Sequence, residues 1–242
     1  MNKQSKIRLW EIDSIRGLAI IGMIIFHVFF ILNFFDVVKN DMHKGGWFLL
    51  AIFVQLMFLV LVGVSLTLSK SSYEKQFLRG LKVLFMGILV SIITYFFDPV
   101  LFVKFGILHL IGLSVIVFSP ISGQKYSSLF CGIASLLIWK FISNIAGTST
   151  ILYILGFKNP NMYSLDYFPI FPWISVVLFG IFIGNLFRGK ITNDKLKTHL
   201  APKMMMPFVF IGQNSLLIYM IHIPIIITTL IVFNIVPIGA FH

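Results

Sequence analysis

GGWFLLAIFVQLMFLVLVGVSLTLS, residues 45–69, contains no Asp, Glu, Lys or Arg. At 1.5 Å of rise per residue, a helix of that length crosses the roughly 30 Å hydrocarbon core of a bilayer. The pattern repeats on both sides: Gly17 to Phe35 is equally free of charge, and Leu81 to Phe97 carries only Lys82 at its edge. Further on, a short run from Phe105 to Ser119 stops at Pro120, and Tyr126 to Ile145 follows after the connector ISGQK. Tyr167 to Phe187 is opened by Pro169 and Pro172, and Asn214 to Val236 comes last, with Asn214 or Ser215 as its cap. The expected fold is therefore all-α, a polytopic transmembrane helix bundle of about seven spans, forming one integral-membrane domain over residues 1–242.

Composition agrees. Of 242 residues 58% are hydrophobic and 11% charged, against roughly 45–50% and about 25% in soluble domains, which excludes a water-soluble fold. The net charge of +11 would raise nucleic acid as a partner of a soluble protein, but here the basic residues lie between apolar runs and act as topology signals. Fourteen of the nineteen fall on one side: Lys3, Lys6, Arg8, Arg16, Lys70, Lys75, Arg79, Lys82, Lys125, Arg188, Lys190, Lys195, Lys197 and Lys203. Lys39, Lys44, Lys104, Lys140 and Lys158 lie in or beside the opposite loops, so the N-terminus is expected in the cytoplasm and the C-terminus outside a cell membrane. The first residues, MNKQSKIRLWEID, mix charges of both signs and read as no removable signal peptide. The single cysteine, Cys131, lies in an apolar run and is expected to pack in the interior. The longest connection, Ala146 to Asp166, holds Tyr153, Phe157 and Tyr163 and suits the membrane surface.

Polar side chains inside spans are costly and mark candidate functional sites. His27 lies about 15 Å into the first span and Gln55 about 15 Å into the second; His222 lies about 12 Å from the inner end of the last, and His109 about 6 Å from the outer end of the fourth. If the first helix begins by Asp13, then Asp13, Arg16, Ile20 and His27 share one face. Each histidine can equally be one interhelical hydrogen bond contributing on the order of 1 kcal/mol. The glycines and serines at Gly63 and Ser65, Gly87 and Ser91, and Gly180 and Gly184 fit close helix packing. No GxSxG, HExxH or P-loop motif is present.

RLWEIDSIRGLAIIGMIIFH, LVGVSLTLS, FGILHLIGLS, DYFPIFPW and GQNSLLIYMIHIPIII, in this order along nearly the whole chain, resemble prokaryotic members of the heparan-α-glucosaminide N-acetyltransferase catalytic-domain family. The resemblance implies transmembrane acyl transfer: acyl-CoA, such as acetyl-CoA, is the co-substrate at the cytoplasmic face, and an amine or hydroxyl on the far side accepts the acyl group. No metal or prosthetic group is expected. The family's catalytic histidine, shortly before a Trp and the second span, is matched by His43 in HKGGWFLLAIF, although its surroundings are only loosely similar. Taken without the family, His43 reads as a solvated loop residue. The chain is much shorter than the heparan enzyme and lacks a large lumenal domain, so a small molecule, glycan or lipid headgroup is the expected acceptor. Membrane lipids are the other expected partners, and a homo-oligomer is compatible with the sequence.

Acyl transfer from a thioester needs a base for the acceptor proton, and histidine suits that task. His43 is the first choice, with His109 able to orient or replace it and Asp166 able to hold an imidazole in one tautomer; His27 and His222 complete the catalytic candidates. For the anionic coenzyme the candidates are Arg16 beside Asp13, together with Arg79, Lys82 and Arg188. Plain topology, anionic lipid or an Asp13–Arg16 ion pair explain the same charges. Two other classes remain open: a proton-coupled small-molecule transporter with a midplane site at His27, Gln55 and His222, and a haem protein with His27 and His222 as axial ligands.

Overall fold

The computed structural model describes residues 9–39, 41–42, 44–191 and 201–236. These residues form helices α1 (Trp10–Phe34), α2 (Gly45–Leu68), α3 (Tyr73–Phe97), α4 (Ile107–Phe118), α5 (Lys125–Ile142), α6 (Thr150–Leu155), α7 (Ile170–Ile191), α8 (Met206–Gln213) and α9 (Ser215–Val232). Six of them, α1, α2, α3, α5, α7 and α9, are long and apolar enough to cross a membrane. Large apolar side chains such as Phe85, Phe96, Phe130 and Phe141 are exposed on them, as a lipid-facing surface requires. The protein is a polytopic membrane helix bundle.

Several elements differ from the hydropathy reading. The fourth apolar run gives a helix of 12 residues, about 18 Å long, preceded by an irregular strip. α1 and α3 start well before their apolar runs, at Trp10 and Tyr73, with Glu11, Asp13 and Glu74 in their first turns, where carboxylates suit the helix dipole. Asn214 does not cap α9: its amide Nδ2 donates to the Phe210 carbonyl at 2.9 Å, so it closes α8. Cys131 is exposed on α5, so it is no packing residue.

The chain divides into two compact units. In the first, residues 1–58 and 191–242, α8 runs antiparallel to the start of α1: a Cβ at Gly17 would strike the Phe208 carbonyl, and one at Gly212 the Asp13 carbonyl. The chain then reverses at Asn214, and α9 runs parallel to α1, sharing the cluster Ile31, Ile226, Leu230 and Val236. Both helices close on a short polar residue in the left-handed region, Asp36 (φ 56°) and Asn234 (φ 54°), which tolerates that conformation better than a bulky one.

In the second unit, residues 59–190, α2 runs parallel to α7. Cβ atoms at Gly63 and Gly180 would strike the carbonyls of Val177 and Val60, and the Thr67 hydroxyl donates to Gly63 O at 3.1 Å and Ile181 O at 3.3 Å. α3 and α4 are antiparallel, with Gly80 against Gly112 and Gly87 against His109. The Asn185 amide reaches the Ser122 carbonyl at 2.8 Å, which brings the end of α7 beside the start of α5. Lys70, Lys75, Arg79, Lys82, Lys125 and Arg188 consequently gather at one end of this unit, while Asp98, Lys104, Lys140, Lys158 and Asp166 lie toward the other.

Backbone contact at these glycines leaves no room for a side chain. Gly180→Val is expected to lower stability by about 1–3 kcal/mol or more, read as a drop in detergent unfolding midpoint. Gly46→Ala, with nothing within 4 Å of the added carbon, should leave the midpoint unchanged or raised.

Candidate functional site

The face of α1 that carries Asp13, Arg16, Ile20 and His27 is turned toward α8 and α9. Asp13 binds Arg16 Nη1 at 3.0 Å and accepts from the Gln213 amide of α8 at 3.4 Å, so the ion pair anticipated for Arg16 forms. One helical level further on, Ile20 is fully buried and packs with Met23, Val54, Ile218 and Tyr219. Beyond that lies the contact of His27 with His222 of α9, ring centroids 4.8 Å apart at 69°.

Each of these histidines is tied to its own helix. His27 Nδ1 is 2.9 Å from Met23 O, and His222 Nδ1 is 2.6 Å from Tyr219 O. A carbonyl oxygen only accepts, so both Nδ1 atoms carry hydrogen and both neutral rings present Nε2 as the basic nitrogen. His222 is 5% exposed, and its Nε2 has no hydrogen-bond partner among the described residues. Gln55 lies beside Val54 on α2 and bonds to neither ring. The edge-on contact leaves no space for a macrocycle between imidazoles that each need about 2 Å to a metal, so the haem reading does not fit. Among the described residues no group of three or more His, Cys, Asp or Glu is arranged to hold a metal ion.

His109 and Asp166, by contrast, cap the start of α4. His109 Nδ1 accepts from Gly106 N–H at 3.2 Å; its Nε2 faces Ser91 Oγ at 3.3 Å, and that hydroxyl donates to Val103 O at 2.5 Å. Both ring nitrogens are thus engaged. The Asp166 carboxylate accepts from Ile107 N–H at 2.9 Å, placing negative charge at the helix start. Around them the 98–106 strip is laced to the connector: Leu165 N–H donates to Leu101 O at 2.8 Å and Phe168 N–H to Phe105 O at 2.9 Å. Lys104 Nζ donates to Val100 O at 2.8 Å and Tyr163 O at 2.7 Å, and burial lowers its pKa, offset in part by Asp98. The Tyr167 phenol, stacked on Tyr153 at 4.1 Å, donates to Tyr153 O at 2.6 Å; burial, then Tyr153, push its pKa up, so it stays a donor.

Of the remaining candidates, Arg79, Lys82 and Arg188 are exposed at the basic end of the second unit, and His43 lies outside the described residues. Sequence reasoning missed Ser91, Tyr219 and Gln213 as partners of these groups. Tyr219, three residues before His222 within one motif, was the only one with a local signal.

Six helices long and apolar enough to cross a membrane define a multi-pass integral membrane protein. The model of the family described as "Heparan-alpha-glucosaminide N-acetyltransferase, catalytic" matches residues 8–224, and the chain belongs to that family. No curated protein matches it, and no solved structure does.

A capping role for Asp166 separates geometry from chemistry. Asp166→Ala is expected to cost about 0.5–2 kcal/mol of stability, measured as an unfolding midpoint, whereas Asp166→Asn keeps an acceptor oxygen and most of that stability.

Proposed function

We propose that the protein is a transmembrane acyltransferase. Acyl-CoA, acetyl-CoA being the simplest donor, is presented at the cytoplasmic face, which is the end carrying Arg79, Lys82 and Arg188. The acyl group passes to an amine or hydroxyl of a sugar, glycan or lipid headgroup on the outer side of the cell membrane. The observation that carries this reading is the family match over residues 8–224. Its polarity is supported by the collection of basic side chains at one end of the second unit, as the positive-inside rule expects of a cytoplasmic end.

The chemistry requires a base at the acceptor as the new bond to the acyl carbon forms. His43 takes that part by resemblance. With His109 and Asp166 engaged in capping α4, the candidate imidazoles left for proton transfer are His43, His27 and His222. One observation favours the alternative, a proton-coupled transporter: His27 and His222 meet inside the membrane. That reading requires Gln55 to join them, and Gln55 makes no hydrogen bond to either.

Purified protein in detergent, heated with and without acetyl-CoA, tests the donor site without a known acceptor. A donor at a hundred times its Kd is expected to stabilise the fold by about 2.7 kcal/mol. Replacing Arg79, Lys82 and Arg188 by Gln together should weaken binding about tenfold, if each contact contributes a few tenths of a kcal/mol, while His43→Ala retains the shift. Absence of any shift with acetyl-CoA and longer acyl donors, the protein remaining folded, contradicts the reading.

A further inference from the structure

The His27–His222 contact has a property beyond the presence of two bases. Both Nδ1 atoms are committed to backbone carbonyls, so only the two Nε2 atoms are left to bind protons, and that of His222 is buried without a partner. Two imidazoles joined by an N–H···N hydrogen bond of about 2.9 Å have centroids roughly 5 Å apart; these are 4.8 Å apart. At that spacing a proton on one Nε2 can be shared with the other ring through a charge-assisted bond once the two nitrogens turn toward each other.

The surroundings are largely apolar, which disfavours a second charge on the pair. Phe26 lies against His27 at 5.6 Å and Tyr219 against His222 at 5.4 Å. Val28 and Ile223, the chain neighbours of the two histidines, belong to the apolar cluster that α1 and α9 share around Ile31 and Ile226. Along α1 and its closing turn the nearest charged groups are Asp36, Arg16 and Asp13, nine, eleven and fourteen residues away, or about 14, 16 and 21 Å along the helix. On α9 the only other titratable group is Tyr219, on α8 there is none, and α2 offers Leu50, Val54 and Phe58. With no carboxylate among the described residues hydrogen-bonded to either ring, two imidazolium charges at this separation repel strongly, which favours one proton on the pair over two.

We propose that His27 and His222 form a one-proton site inside the membrane that relays the acceptor proton to the leaving thiolate. The relay role rests on the acyltransferase reading; the proton site itself does not. As the acceptor attacks, its N–H or O–H bond breaks, the N–C or O–C bond to the acyl carbon forms, and the C–S bond breaks. The released proton passes from the base at the acceptor to one Nε2 of the pair, is shared with the other, and protonates the thiolate, so the pair ends as it began. His27 accepts and shares the proton and also holds His222 in place.

The test is ¹⁵N magnetic resonance of histidine-labelled protein in lipid nanodiscs, titrated over about pH 4 to 8, with His27→Gln and His222→Gln assigning the two rings. The expected result is one proton taken up by the pair, with the nitrogen signals of both rings moving in a single shared step in the wild type. In His27→Gln the remaining ring should titrate alone, at a different pH. Two independent steps, or two neutral rings throughout, overturn the proposal, and because this readout uses the wild type it survives misfolding of either variant. The relay is read separately: His222→Gln should slow acceptor-dependent coenzyme A release by about a hundredfold or more, with acetyl-CoA stabilisation retained. Unchanged release in that variant overturns the relay. One shared proton in a wild type that binds no acyl-CoA and releases none sinks the relay together with the acyltransferase reading and leaves the proton site standing.

Discussion

Inside a bilayer no water is at hand to satisfy a polar group, so each one must be answered by the protein itself. This constraint shapes much of the architecture, although the buried hydroxyls of Ser14, Ser114, Ser119 and Ser135 have no hydrogen-bond partner among the described residues. Thr67, Ser128, Ser175 and Thr229 each turn back to a carbonyl of the preceding turn of their own helix. The glycines bring helix backbones together without leaving voids. The two histidines obey the same rule at Nδ1, and His222 breaks it at Nε2. A buried, unanswered nitrogen costs about 1–3 kcal/mol, and the proposed proton site gives that nitrogen something to bind.

The five motifs that carry the family resemblance are explained in large part by how they pack. RLWEIDSIRG meets GQNSLLIYMIH through Gly17 and Gly212, with Asp13 and Gln213 between them. FGILHLIGLS presents Gly112 to Gly80 and receives Asp166 of DYFPIFPW at its first turn. LVGVSLTLS lies along α7 through Gly63 and Thr67. Motif residues are thus partly architectural, and His27 and His222, one from each of two motifs, meet ring to ring between α1 and α9.

Long apolar runs without charge were legible as helices because lipid imposes a length and a composition. What escaped was set by distant partners. α8 is only eight residues, MPFVFIGQ, and reads as connector; its contact is with α1, nearly two hundred positions earlier in the chain. Helix arithmetic put Asp13, Arg16, Ile20 and His27 on one face but said nothing of which helix that face would meet. Depth likewise marked His109 as a catalytic candidate, whereas its ring is taken up by Gly106 and Ser91, a local arrangement that requires the turn before α4 to be known. His43 stays an assignment by resemblance.

The most direct test of transmembrane acyl transfer supplies isotopically labelled acetyl-CoA to one face only of sealed proteoliposomes, with an impermeant amino sugar or an aminophospholipid at the other. The account predicts labelled acceptor on the far side and free thiol on the donor side, in equal amounts, with the donor used from the face that carries Arg79, Lys82 and Arg188. Acceptor that crosses unacylated without thiol release, or label confined to acceptors on the donor's own side, would contradict it.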